Sequence, residues 1–350
     1  MAQHAENHVV SLTDLGIFGP RIEALGVPVS ALGLKHGRGI GGASRELRRF
    51  ARKIQPDIIQ GWMYHGNLAA TFVRYTTFGK PHLLWNIRQS LDGLNDEKRS
   101  TGLVIRAGKL ISRTADTILY NSQKARSQHE ALGYASSNAR VIPNGFDTEL
   151  WRPNAGARAK TRKELGLTDE CILVGFVARF HPMKDLANLL RAISPLMEQN
   201  PHIHLAIIGD GNTPDNPALA PLYATLPPAN LHILGAQDNV ENLIVGFDVF
   251  CLSSNSEAFP NVLGEAMSCG VPCIATDVGD AAKVLGDTGI VIPPSKPAAL
   301  CQALSALIAL SPADRNKTGA IARERIVGNY SLRNTVQGYI NLYDSILEKT

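Results

Sequence analysis

The sequence predicts an α/β protein built from two doubly wound parallel-sheet domains, and three observations carry that prediction. Short apolar, often β-branched segments alternate with amphipathic helical stretches along nearly all of the 350 residues. A polar break containing Pro153, Asn154 and Gly156 interrupts the rhythm near the middle, dividing the length into two domains of ordinary size. Charged residues and glycines collect where strand-like segments end, and that edge is where open α/β sheets bind ligands.

In the first half, strands are read at 8–14, 27–34, 56–62, 81–88, 117–122 and 139–145. Helices are read at 43–54, 66–75 and 122–132, the rhythm of βαβ units in a parallel sheet. The first domain is therefore assigned to 1–150, and 147–167 is read as a linker. A second series follows at 171–179, 202–211, 230–235, 249–254, 271–276 and 289–294, which assigns the second domain to 151–328. Helical patterns at 296–309, 312–326 and 331–348 close the chain. The last carries Val336, Tyr339, Ile340, Leu342, Tyr343 and Ile346, so one face needs a partner.

Composition bounds the function. Hydrophobic content of 44% supplies real cores, and 19% charged residues argues against disorder. A net charge of +4 is too mild to indicate nucleic acid, although it allows weak attraction to anionic membrane surfaces. Five cysteines, an odd number without a C-x-x-C pair, read as reduced thiols in a cytosolic protein. Cys269 and Cys273 read as buried small hydrophobes rather than metal ligands, since no histidine cluster joins them. The first ten residues lack an apolar signal core and no run reaches bilayer-spanning length, so a soluble chain is expected.

The most informative stretch is SSNSEAFPNVLGEAMSCGVPCIATD. VFCLSS (249–254) reads as a buried strand, NVLGEAMS as a short helix opened by Pro260, and Gly270 as its stop. Glu257 then lies in a loop at a strand's C-terminal edge, and Glu265 about one turn into the helix. The helix start offers free N–H groups to an anion. Two carboxylates beside such an end point to a ligand carrying both phosphate and sugar hydroxyls.

Arg179 and Lys184 flank HPM directly after a strand, with Asp185 placed to cap the next helix. A guanidinium fork and a compact ammonium there form a diphosphate clamp, weighed against two solvated surface cations. Gly209 opens a G-D-G turn, either a ligand approach or a plain turn. No Asp-x-Asp pair occurs anywhere in the chain, which favours protein cations over a metal as phosphate partners. In the first domain Trp62, Tyr64 and His65 follow the strand PDIIQ, although a lone histidine is more often structural. Asn144 and Gly145 end that domain's last strand, as a turn or a ligand contact.

Arg99, Arg106 and Arg113 recur every seven residues and share one helical face, with Lys109 nearby and Leu103, Val104, Leu110 and Ile111 as apolar surface. Such a helix can rest on anionic lipid, but a solvated face over an ordinary core contact is the preferred reading. GIGGASR (39–45) lacks a full phosphate-loop fingerprint and reads as a flexible link into a helix.

With these residues collected, the sequence resembles the retaining glycosyltransferases of family 4. VGFVARFHPMKD, IIGDG, SSNSEAFPNVLGEAMSCGVPCIATDVGD and TGIVIPP carry the resemblance, most densely over 171–294. PDIIQGWMYHGNL, ILYNS and VIPNGFD add a weaker likeness to the family's acceptor domain. The resemblance implies the GT-B fold, two Rossmann-like domains facing a cleft, with 329–350 crossing back to pack on the first domain. It implies transfer of a sugar from a nucleotide-diphosphate donor to an acceptor hydroxyl with retained anomeric configuration, without cofactor or essential metal. Arg179 and Lys184 would hold the diphosphate, Glu265 the ribose hydroxyls and Glu257 the donor sugar.

Backbone amides at Phe259, Asn261 and Val262 would reach the phosphates or sugar, and Gly209 would line the donor site. His65 would stand near the transferred sugar, with Tyr64, Asn144 and Gly145 on the acceptor side. The implied partners are a nucleotide sugar and a glycan or lipid-linked acceptor, at a cytoplasmic location with peripheral membrane contact and no nucleic acid. Family members usually open with a strand, a glycine-rich loop and a helix before the strand matching HVVSLTD. That unit is expected to be missing here, leaving strand edges of the first domain unpaired. Two alternatives accompany this reading: a non-catalytic nucleotide-sugar-binding subunit, and a nucleotide-sugar epimerase of the same fold.

Overall fold

The computed structural model describes residues 5–34, 39–91, 93 and 98–348. They form two compact units, one made of 1–142 with 336–350 and the other of 143–335.

The first unit runs β1 (Val9–Ser11), α1 (Gly19–Glu23), β2 (Val29–Ala31), α2 (Ile40–Ile54), β3 (Ile58–Trp62) and α3 (Met63–Thr76). It continues with β4 (His82–Ile87), α4 (Arg99–Ile111), β5 (Thr117–Tyr120), α5 (Gln123–Leu132) and β6 (Ala139–Val141). All pairings are parallel, but they fall into two sheets, β1-β2 and β3-β4-β5-β6. Among the described residues β1 pairs only with β2, and β3 only with β4. Alternation along the strands sorts side chains to opposite faces. Leu83, Trp85, Ile87, Ile118 and Tyr120 join one core, while Leu84 and Leu119 meet Tyr339 in another.

The second unit runs α6 (Ala155–Glu164), β7 (Ile172–Val177), α7 (Leu186–Gln199), β8 (Ile203–Ile208), α8 (Ala220–Tyr223), β9 (Leu231–Gly235) and α9 (Val240–Ile244). Then come β10 (Val249–Leu252), α10 (Asn261–Ser268), β11 (Cys273–Thr276), α11 (Ala281–Leu285), β12 (Ile290–Ile292), α12 (Pro297–Ile308) and α13 (Pro312–Asn329), and the chain leaves the unit along α14 (Leu332–Leu347). Its parallel sheet has the order β12-β11-β10-β7-β8-β9, with the topological switch between β7 and β10. Phe250 and Leu252 face one core and Val249 and Cys251 the other, so helices cover both faces. Cys251, Cys269 and Cys273 are buried in these cores, and burial pushes the Cys269 thiol up to about 12.

Three expectations need correction. The stretch 147–167 is not a linker. Asn154 caps α6 by accepting from Ala157 N at 3.0 Å, and Arg162 reaches Asp248 at 2.8 Å. A row of charges that reads as solvated thus finds a carboxylate brought by a distant loop. Helix α2 begins at Ile40, so Gly41 and Gly42 are its first turn rather than a flexible link. Helix α3 begins at Met63, three residues before the expected start, with Met63 at a φ of +61°.

The units exchange chain through one local pairing. Phe146 N donates to Tyr330 O at 2.8 Å and Leu332 N to Phe146 O at 2.7 Å, so 143–150 and 329–335 lie in the second unit. From Val336 onward α14 belongs to the first unit, where Tyr339 OH accepts from Asn86 Nδ2 at 2.8 Å and Tyr343 OH meets Gln60 Oε1 at 2.6 Å.

Candidate functional site

In the second unit, the loops after β7 and β10 meet at the C-terminal edge of the sheet. After β7 the chain makes a 3₁₀ turn over Pro182–Lys184, and Asp185, at a φ of +44°, caps α7 by accepting from Asn188 N at 3.2 Å. The β10 loop is stitched to this turn: Ser253 Oγ donates to Asp185 O at 3.0 Å and Asn255 N to Met183 O at 2.8 Å. These bonds place Lys184 Nζ 2.6 Å from Glu257 Oε1, which also accepts from Ser254 Oγ at 2.8 Å. Thr276 Oγ1 on β11 anchors the loop in turn by donating to Ser254 O.

A cavity of about 410 Å³ opens beside this pair. Lys184, Glu257, Phe259, Asn261, Val262 and Glu265 all line it. Helix α10 starts at its wall after Pro260 with no side-chain cap. Its first N–H groups therefore have no intrahelical acceptor and favour an anion. Gly264 lets α10 sit down on Phe146, since a Cβ there would come within 2.1 Å of that ring. Phe146 stacks on Phe259 at 6.0 Å, which fixes the loop in front of the helix. Burial pushes the Glu265 carboxyl up to about 7, so near neutrality it is divided between acid and carboxylate.

Sequence reasoning missed Trp151, Asp238 and Glu241, which also line the cavity. Asp238 and Glu241 follow β9 at the same sheet edge, a signal as good as the one used for Glu257. Trp151 lies in the segment read as linker. Of the lining residues, four are carboxylates and Lys184 is the cation, already engaged by Glu257. Arg179 is not in the lining. It lies one residue past Ala178, which is, and is exposed.

Gly209 is also outside the lining. Its φ is +137°, and a Cβ would fall 1.9 Å from Ala178 O, so the position needs glycine for backbone approach between β7 and β8. Asn144 is brought in, its Nδ2 donating to Asn261 Oδ1 at 2.6 Å. Gly145 is packed under Thr335 and Leu332, where a Cβ would meet Oγ1 at 2.6 Å.

In the first unit, His65 is exposed in the first turn of α3. Tyr64 does not face an open site as expected. It is 4% exposed in the core, its hydroxyl 2.9 Å from His129 Nε2, because the earlier start of α3 turns it inward. The His129 Nδ1–H donates to Ala125 O at 2.7 Å, which leaves Nε2 to accept from Tyr64, and burial lowers the imidazole's pKa.

Among the described residues no group of three or more His, Cys, Asp or Glu could hold a metal ion, and no helix is long and apolar enough to cross a membrane.

Two family models match the chain: Glycosyltransferase Family 4 over residues 2–150 and Glycosyl transferases group 1 over 171–309. The N-acetyl-alpha-D-glucosaminyl L-malate synthase of Bacillus anthracis is 30% identical over 243 residues, 67% of this chain and 60% of that protein. The D-inositol 3-phosphate glycosyltransferase of Nocardia farcinica is 30% identical over 252 residues, 68% of this chain and 54% of that one. The chain spans little more than half the length of the first curated relatives it matches, 54% and 58%. The crystal structure of Anabaena Alr3699/HepE in complex with UDP shares the fold, with a TM-score of 0.82 at 19% identity, over 97% of this chain and 92% of that one.

Proposed function

We propose that this chain, which belongs to glycosyltransferase family 4 with the GT-B fold, moves a sugar from a nucleotide-diphosphate donor to an acceptor hydroxyl with retention of configuration. One observation carries the reading: Lys184, Glu257, Glu265 and the start of α10 line a single cavity at the switch point of the sheet. The ammonium and the α10 amides suit a diphosphate, Glu265 suits ribose hydroxyls, and Glu257 suits the hydroxyls of the transferred sugar.

Lys184 and Glu257 form an ion pair and neutralise each other. An arriving diphosphate competes for the ammonium and releases Glu257 toward the sugar. The bond from the anomeric carbon to the β-phosphate oxygen then breaks as the acceptor oxygen bonds to that carbon on the same face. The acceptor's proton passes to the departing phosphate oxygen. Lys184, with Arg179 from the adjoining loop, stabilises the charge that grows on the leaving diphosphate. The carboxylate of Glu257 faces the positive charge developing on the sugar ring. His65 of the first unit is assigned to the transferred sugar in the same reading.

No metal takes part in this account, since the lysine and the helix amides carry the phosphate charge. The acceptor is a glycan or lipid-linked glycan in polysaccharide assembly, and the location is cytoplasmic, at the membrane's inner face. The Anabaena structures hold UDP and UDP-glucose, so UDP-glucose is the first donor to try. The test is a panel of nucleotide sugars read by thermal shift and then by release of nucleoside diphosphate, with and without a chelator. Chelator-resistant release with transfer to an added acceptor supports the reading. Binding without release or transfer favours a non-catalytic subunit, and no binding refutes the site.

A further inference from the structure

We propose that Trp62 is the stacking platform for a pyranose ring of the acceptor. This rests on the glycosyltransferase reading and names the acceptor's chemistry within the first unit. The three tryptophans of the chain stand in three different settings. Trp85 is 1% exposed and its indole N–H donates to Thr71 Oγ1 at 3.0 Å, the arrangement of a core tryptophan. Trp151 lines the cavity of the second unit. Trp62 is 52% exposed, and among the described residues its indole N–H has no acceptor.

The turn from β3 into α3 leaves this ring outside. Gly61 takes α3 directly against its backbone, since a Cβ there would fall 2.5 Å from Asn67 Cα. Met63, at a φ of +61°, packs on the core that holds Trp85 and Ile87, and its Sδ accepts from Arg88 N at 3.4 Å. A bulky residue in the left-handed region carries a strain that glycine would avoid, and such strain collects at ligand sites. Trp62, between these two, closes the C-terminal end of β3, the edge where open α/β sheets take ligands. His65 follows three positions later and is also exposed. The two Cα atoms are at most about 11 Å apart, so one acceptor can touch both.

The ring is held in place before any ligand arrives. Tyr339 of α14 stacks on it with centroids 6.4 Å apart at 25°, and the Arg88 guanidinium lies over it at 5.3 Å. Arg88 Nη1 donates to the Tyr339 hydroxyl at 2.9 Å, and Asn86 Nδ2 donates to the same oxygen at 2.8 Å. An indole fixed in this way loses little rotamer freedom when a ligand lands on it. Its open surface offers a π cloud of negative potential with an N–H donor at the rim. A pyranose answers both features, because its C–H face carries partial positive charge and its hydroxyls accept at the edge. A lipid chain would answer the apolar surface alone.

The test reads sugar binding directly and needs no turnover. The full chain is labelled with fluorotryptophan, and its fluorine NMR lines are assigned through Trp62→Phe and Trp151→Phe. Methyl glycosides of glucose, galactose, mannose, N-acetylglucosamine and glucuronic acid are titrated in, then nucleoside diphosphates, then phosphatidylcholine–phosphatidylglycerol vesicles. At least one glycoside should shift the Trp62 line and leave the Trp85 line in place, whereas a nucleoside diphosphate should shift the Trp151 line. Affinity for that glycoside, read on its own proton signals, should fall about tenfold in Trp62→Ala and Trp62→Leu and recover most of the loss in Trp62→Phe. All three variants should keep the wild-type melting midpoint and nucleotide-induced shift. A Trp62 line that no glycoside moves, or that vesicles alone move, overturns the proposal and leaves the donor site standing. So does Trp62→Leu binding as tightly as wild type, since apolar contact would then replace the ring. A glycoside shift at Trp62 without any nucleotide shift at Trp151 supports the platform and counts against the donor reading instead.

Discussion

Lys184 Nζ lies 2.6 Å from Glu257 Oε1 although 73 residues separate them in the chain, and both side chains line the same cavity. The ammonium is 28% exposed and the carboxylate 11%, so water screens the pair incompletely. In the proposed reading an arriving diphosphate would compete for this pair, with Lys184 assigned to the phosphates and Glu257 to the sugar.

Lys184→Ala should separate phosphate recognition from nucleoside recognition. Charge-assisted bonds to a phosphate contribute about 1.5–3 kcal/mol, so nucleoside diphosphate affinity should fall roughly 10- to 100-fold. Nucleoside affinity should hold within about twofold on the same reasoning. Titration calorimetry with both ligands checks this, and equal losses would remove the phosphate role.

Glu257→Gln should reduce turnover by about 10²-fold or more while leaving donor affinity largely intact, because it removes charge facing the transition state. Single-turnover kinetics beside equilibrium donor binding measures both. Unchanged turnover would show the assignment to be wrong.

Nucleotide affinity should depend on pH near neutrality. Burial raises the Glu265 pKa to about 7, and only the carboxylate accepts hydrogen bonds through both oxygens. Affinity should rise as pH increases from 6 to 8, and Glu265→Gln should flatten that rise. A wild-type profile as flat as the variant's contradicts the ribose role. The same shift bears on stability with the opposite sign. A carboxyl raised above its unfolded value stabilises the empty protein at low pH, and that contribution is lost as pH rises from the ordinary carboxylate value through about 7.

Gly209→Ala should destabilise the second unit rather than remove one ligand contact. The new Cβ would fall 1.9 Å from Ala178 O at a φ of +137°. A loss of about 3 kcal/mol or more is expected from backbone strain and overpacking together. Urea unfolding of the ligand-free protein measures it, and an unchanged midpoint would contradict the packing role.

Much of the fold was legible because it rests on local patterns. Among the described residues all twelve strands lie inside apolar segments readable from the sequence, and Asp185 and Pro260 mark the starts of α7 and α10 where capping and φ preferences put them. The misreadings came from long-range partners. Helix α6 looks like a polar linker until Asp248 supplies a carboxylate to Arg158 and Arg162. Tyr64 looks like a site residue until His129, 65 positions later, accepts its hydroxyl. In the candidate site, the strand-edge rule found Lys184, Glu257 and Glu265. It applies equally to Asp238 and Glu241, which were passed over. Gly209 was left open between a ligand approach and a plain turn because a positive φ serves close packing as readily as ligand approach.

The central claim is that the cavity beside Lys184 and Glu257 holds a nucleotide diphosphate. The most direct measurement is a crystal soaked with the nucleoside diphosphate that gives the largest thermal shift. The account predicts diphosphate density between Lys184 and the first turn of α10, ribose at Glu265, and a Lys184–Glu257 distance longer than 2.6 Å. Density elsewhere on the molecule, with that pair undisturbed, would contradict it.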